Sequence, residues 1–130
     1  MKTLIVDDDY GTRHLMLVNL SPFGKCSVAK TGMEAVYLFQ EALWSSQRFD
    51  LICMDINMPL MDGTKALKKI REVEDKAHIK GNNRVKILMI TGDDDPKKVM
   101  ESMKLEADKY IKKPIRKNKL LAVVNSLELI

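Results

Sequence analysis

The sequence predicts a doubly wound α/β domain, a (βα)5 parallel sheet covered by helices on both faces. Two observations carry this. Leu4-Ile5-Val6, Leu51-Ile52-Cys53-Met54 and Ile87-Leu88-Met89-Ile90 are short, continuously apolar runs, the pattern of strands buried on both sides. Between and after them lie segments whose apolar residues recur at helical spacing.

The elements follow in order. After the first strand, Leu15 to Leu20 supplies an apolar helical stripe, ended by Ser21-Pro22-Phe23-Gly24. Cys26-Ser27-Val28-Ala29 is mixed in polarity, as expected of a sheet edge. Met33 to Leu43 places Val36, Phe39 and Leu43 on one side of a second helix. After the third strand, Thr64 to Val73 offers Leu67, Ile70 and Val73. Glu74 to Arg84, with His78, Gly81, Asn82 and Asn83, is polar and irregular and is expected to be an extended surface loop. The fourth strand leads to Asp95-Pro96, a helix start with a carboxylate at the N-cap and proline at N1. Its stripe is Val99, Met100 and Met103. Lys109-Tyr110-Ile111 reads as a second edge strand, and Leu120, Val124 and Leu127 as the last helix. The nine methionines fall mostly in these stripes and are expected to fill the core. Because the first, third and fourth strands are the most apolar, they should be central. The strand order is then 2-1-3-4-5, the flavodoxin-like arrangement, with its site at the carboxyl ends of the strands beside the switch point.

Size and charge narrow the class. The 130 residues fit one domain, and 45% hydrophobic with 31% charged residues is ordinary for a globular chain. No apolar run approaches the ~18 residues of a membrane span, and the start of the chain meets Asp7 too soon for a signal peptide. Cys26 and Cys53 lack CxxC spacing and read as core residues of a reduced, cytoplasmic protein. Net charge is +4, unevenly spread. Residues 1–64 carry 5 Lys+Arg against 8 Asp+Glu, a balance of −3; residues 65–130 carry 17 against 10, a balance of +7. The lysines of the basic half are scattered at helical spacing without interleaved aromatics, which points to partner steering rather than nucleic acid.

Chemistry-bearing residues follow each main strand. Asp7-Asp8-Asp9 succeeds the first, and Asp55, then Ile56-Asn57-Met58-Pro59, ends the third. Thr91-Gly92-Asp93 follows the fourth and Lys112-Lys113-Pro114 the fifth. In the expected topology all converge on one rim. Several facing carboxylates repel one another unless a cation completes them. Oxygen donors without thiolates or convergent imidazoles select Mg2+. Asp55, the acid at the end of a central strand, is the natural nucleophile for an aspartyl phosphate. His14 and His78 have no partners at metal or triad spacing and are expected on the surface.

The chain resembles the receiver domain of bacterial two-component response regulators. The matching residues are Leu4 to Asp9, Met54 to Gly63, Ile90-Thr91-Gly92 and Tyr110 to Pro114, and the resemblance covers essentially residues 1–130, with no output domain attached. It implies that Asp55 accepts a phosphoryl group from a phosphohistidine of a histidine kinase or histidine phosphotransferase. It implies Mg2+ ligation by Asp7, Asp8, Asp55 and the Asn57 backbone carbonyl. Lys113 is then the phosphoryl contact, Thr91 and Tyr110 the switch pair, and Asp9 a solvated residue. The α4-β5-α5 face would change shape for a downstream protein target, with a phosphorylation-dependent homodimer left open. The resemblance also marks departures. The second helix region and the Glu74–Arg84 loop are longer than usual, Glu106 stands where a small residue is usual, and Gly92 where alanine is frequent. Two rival readings remain. An aspartate-nucleophile phosphatase of the haloacid dehalogenase type would need DxDx(T/V) after the first strand, where Gly11 fails the last position. A pseudo-receiver used only for binding would not need the intact acids, Thr91 and Lys113.

Overall fold

The computed structural model describes residues 1–92 and 96–130. It contains β1 (Thr3–Val6), α1 (Tyr10–Leu20), β2 (Cys26–Ala29), α2 (Gly32–Trp44), β3 (Leu51–Asp55), α3 (Gly63–Lys76), β4 (Lys86–Thr91), α4 (Pro96–Lys104), β5 (Lys109–Lys112) and α5 (Lys117–Ser126). The strands form one parallel sheet in the order β2-β1-β3-β4-β5, so the predicted order holds. The central strands β1 and β3 are buried throughout. The edge strands β2 and β5 expose residues, as their mixed polarity requires.

Strand alternation divides the core into two layers. Leu4, Val6, Ile52, Met54, Ile87 and Met89 face one way and pack on Ala35 and Phe39 of α2 and Leu67 and Ile70 of α3. Ile5, Leu51, Cys53, Leu88, Ile90 and Ile111 face the other way, against Met16 and Leu20 of α1 and Leu120 and Val124 of α5. Burial pushes the Cys53 thiol up to about 12, which keeps it an inert core group.

Three expectations need correction. The stretch from Glu74 to Arg84 is not wholly loop: α3 continues to Lys76, and Gly81–Asn83 forms a 3-10 turn. Glu74 is 1% exposed because it is held in a buried ion network. Its Oε1 accepts from Arg71 Nη1 at 2.7 Å and its Oε2 from the Val85 amide at 2.8 Å. Arg71 also donates to the carbonyls of Val85 and Glu106 and to Asp108, so this polar cluster ties α3 to the starts of β4 and β5. Glu106, at φ 69°, turns the chain between α4 and β5. Second, α4 does not bury a methionine stripe. Met100 and Met103 are exposed, Val99 is half-buried, and the buried residue of the helix is Ser102. Met33 is exposed as well, so the methionines are not all core filler. Third, Leu15 lies on the exposed side of α1, where Met16 and Leu20 are the buried pair. Asp93 and the Asp95 N-cap assignment lie outside the described residues.

Candidate phosphoacceptor site

Parallel register brings the acids together. Val6 of β1 lies opposite Met54 of β3, so Asp7 and Asp55, the next residues along, emerge side by side at the carboxyl rim. Asp8 joins them: carboxylate oxygens of Asp7, Asp8 and Asp55 all lie within 4.8 Å of one another. Asp7 and Asp55 are buried, whereas Asp8 is exposed. Lys113 approaches from the end of β5, its Nζ 3.2 Å from Asp7 Oδ2 and 3.5 Å from Asp55 Oδ1. The Lys113 amide donates to the Thr91 carbonyl at 2.7 Å, which stitches that lysine to the end of β4. The peptide between Lys113 and Pro114 is cis.

Three carboxylates face one ammonium, and the imbalance is visible in their electrostatics. Burial first and the neighbouring Asp7 charge second raise the Asp55 carboxyl to about 6, against the opposing pull of Lys113 and of the Asn57 amide, which donates to Asp55 Oδ1. The Lys113 ammonium is resisted by burial but held above its usual value by Asp55 and Asp7. Asp7 Oδ2 is buried and makes no hydrogen bond among the described residues, despite the nearby ammonium. A buried carboxylate oxygen whose charge is met by one ammonium shared with Asp55, beside excess negative charge and with oxygen ligands in reach, fits a hard divalent cation.

The flanking residues divide into those beside the acids and those further off. Asn57 is exposed on the loop after β3. Thr91 closes β4 and is 2% exposed. Tyr110 sits in β5 opposite Met89 and is 48% exposed. His14 and His78 are both on the surface. Asp9 is more than a solvated acid. It is the N-cap of α1, its Oδ2 accepting from the Thr12 amide at 2.9 Å and hydroxyl at 2.8 Å, and the Thr12 hydroxyl leads in lowering its carboxyl below the usual value. Gly92 has no left-handed φ, and among the described residues a Cβ there would meet only the Lys113 side chain, at 3.8 Å.

Sequence reasoning gave no role to three residues that build the site, although two of them, Asp62 and Gly63, end the matching stretch Met54 to Gly63. Arg13, buried in α1, donates from Nη1 to the Asp7 carbonyl at 2.9 Å and so fixes the start of the acidic turn. Asp62 caps α3, accepting from the Lys65 amide at 3.0 Å and the Thr64 hydroxyl at 2.5 Å. Burial opposes the drop, but these bonds, led by Thr64, together with Lys98 lower the Asp62 carboxyl to about 2. Gly63 is packed so closely that a Cβ would lie 2.2 Å from the Asp55 carbonyl. The Asp-Gly pair before an amphipathic run was a legible cap signal for Asp62. No local signal distinguishes Arg13.

Comparison with known proteins decides the family. The model of the response regulator receiver domain matches residues 3–125. The chain belongs to the receiver domain family. Receiver domains are signalling switches of two-component systems, so the dehalogenase-type reading is set aside. The chain is 32% identical to the chemotaxis protein CheY of Halobacterium salinarum, over 97% of this chain and 95% of that one. It is also 32% identical to the two-component response regulator ARR22 of Arabidopsis thaliana, over 98% and 83%. Against a probable transcriptional regulator ycf27 of Cyanidium caldarium it spans 45% of the relative's length at 30% identity. Among solved structures, Vibrio cholerae CheY4 superposes with a TM-score of 0.79 at 30% identity, covering 96% of each chain. The receiver domain of the histidine kinase CKI1 from Arabidopsis thaliana, complexed with Mg2+ and BeF3−, gives 0.81 at 26% identity, over 98% and 89%.

Proposed function

We propose that the chain is a phosphorylatable receiver, working in the cytoplasm, whose Asp55 accepts a phosphoryl group from a phosphohistidine of a histidine kinase or histidine phosphotransferase. The observation that carries this is the meeting of Asp55 with Asp7, Asp8 and Lys113 at the carboxyl rim. An oxygen of Asp55 attacks phosphorus as the phosphorus–nitrogen bond to histidine breaks, which leaves an aspartyl phosphate and a free imidazole. Asp7, Asp8, Asp55 and the Asn57 carbonyl would hold Mg2+, which supplies charge neutralisation for the phosphoryl oxygens. The Lys113 ammonium exchanges its contact with Asp55 for one with the transferred group, and the Thr91 hydroxyl donates to the same oxygens. Burial of Asp7 and Asp55 limits, without abolishing, the screening of these interactions by solvent at the rim.

The new group brings a charge of about −1.5 to −2. Thr91 drawn toward it leaves room for Tyr110, half-exposed at rest, to turn inward and reshape the face of α4, β5 and α5. That face carries Lys97, Lys104, Lys109, Lys112, Lys117 and Lys119, a charge pattern that favours an acidic protein target. The likeness to CheY proteins over nearly their whole length supports output by association. Radiolabelled acetyl phosphate with Mg2+ tests the assignment. Wild type takes up label and Asp55→Asn takes up none while keeping its circular dichroism spectrum. Label at the wild-type level in the variant refutes Asp55 as acceptor.

A further inference from the structure

Helix α4 is the least anchored helix of the described structure. Its buried residue is Ser102, whose hydroxyl is used internally, donating to the Lys98 carbonyl at 2.9 Å. Met100 and Met103, which would anchor an amphipathic helix, are 60% and 43% exposed. A helix with so little apolar contact is positioned largely by its polar links. One such link is long-range: Lys98 Nζ lies 2.9 Å from Asp62 Oδ2, across 36 residues of chain.

Asp62 is not an ordinary surface acid. Its Oδ1 is committed to the cap of α3, and its Oδ2 reaches α4. The cap closes the loop that starts at Asp55. The Gly63 amide donates to the Ile56 carbonyl at 2.8 Å, and Gly63 is pressed against the Asp55 carbonyl with no room for a Cβ. The Ile56 amide in turn donates to the Ile90 carbonyl at 2.9 Å. A displacement of Asp62 is therefore passed to the peptide units that hold the Asp55 side chain, because close-packed groups move together.

We infer that the Lys98–Asp62 pair is a tether that holds α4 against the phosphoacceptor loop in the unphosphorylated protein, making Lys98 and Asp62 positioning residues for phosphoryl uptake. This rests on the Asp55 reading. The tether is closed in the structure in which Tyr110 is half-exposed and the Lys113 ammonium faces Asp7 and Asp55, which is the arrangement without a phosphoryl group. Rearrangement of the α4 face then has to break the pair. A protein that lacks it reaches the phosphorylated arrangement more readily, by the factor the pair contributes to the resting one. The side chains are 34% and 23% exposed, so the factor is about two- to five-fold.

The test compares wild type, Lys98→Ala, Lys98→Arg and Asp62→Asn. The readouts are the rate of labelling by acetyl phosphate with Mg2+, the apparent affinity for beryllofluoride, and the melting temperature without metal. Asp62→Asn keeps a capping oxygen while removing the charge, which isolates the pair from anything else that Lys98 touches. Lys98→Ala and Asp62→Asn are expected to label about two- to five-fold faster and to bind beryllofluoride tighter by a similar factor. Lys98→Arg should stay near wild type, and Lys98→Ala should melt within a few degrees of it. Unchanged or slower labelling in Lys98→Ala and Asp62→Asn overturns the tether, and so does a Lys98→Arg protein as fast as Lys98→Ala. Wild type that takes up no label refutes the Asp55 reading itself, and the tether with it.

Discussion

Replacing Asp55 by asparagine should stabilise the metal-free protein, although the residue sits at the centre of the proposed site. The side chain is 1% exposed, lies beside the buried Asp7, and is raised from 3.8 to about 6 by burial first and the Asp7 charge second. A carboxyl that binds its proton more tightly in the fold than in the unfolded chain contributes full stability below about pH 4, which is lost as pH rises through about 6. At pH 8 the fold therefore carries an ionised group that it would rather hold neutral. The shift corresponds to at most about 3 kcal/mol, and solvent at the rim reduces this to on the order of 1–2 kcal/mol. Asparagine keeps the shape and removes the charge. Urea unfolding in EDTA should show Asp55→Asn more stable by that amount at pH 8, a gain of about 3–8 °C in melting temperature, and nearly equal to wild type at pH 4. Excess Mg2+ should then stabilise wild type more than the variant and narrow the gap, since the ion binds the folded state. A variant less stable than wild type at pH 8 without metal, or a difference that does not change with pH, would refute the electrostatic reasoning.

Two glycines near the site should respond in opposite directions. Gly63→Ala forces a Cβ onto the Asp55 carbonyl and should cost about 1–3 kcal/mol while weakening beryllofluoride binding. Among the described residues Gly92→Ala meets only ordinary contact with Lys113 and should gain about 0.4–1 kcal/mol through a less flexible unfolded chain; chemical denaturation of both variants checks this. At the amino end of the strands, Arg71→Ala strands the buried Glu74 carboxylate and the Glu106 carbonyl, and should cost about 3–5 kcal/mol in the same assay. Arg71→Lys should recover little, because one ammonium cannot replace a guanidinium that bonds Glu74, Asp108 and two carbonyls at once.

Much of the site was legible because strand ends and functional groups share one address. Three continuous apolar runs identify the central strands, and parallel connection sends every strand's carboxyl end to the same rim, so Asp7, Asp8, Asp55 and Lys113 had to come near one another once the order was known. The failures occurred where a residue's environment is made by distant chain. Glu74 sits in a polar stretch and reads as exposed, but Arg71 and the Val85 amide enclose it. Met100 and Met103 fit a buried stripe by spacing, but α4 turns them to solvent and buries Ser102 instead. Asp9 reads as one more acid in a row of three, and only backbone direction makes it a helix cap.

Hydrophobic patterning alone determined the sheet, its strand order and the acids gathered at its rim, since burial of apolar strands on both faces admits few arrangements. Tertiary packing decided which of those acids are buried, which of them face the Lys113 ammonium, and which lysine holds α4. Those properties depend on distances between groups far apart in the chain, and a one-dimensional pattern carries no such distances.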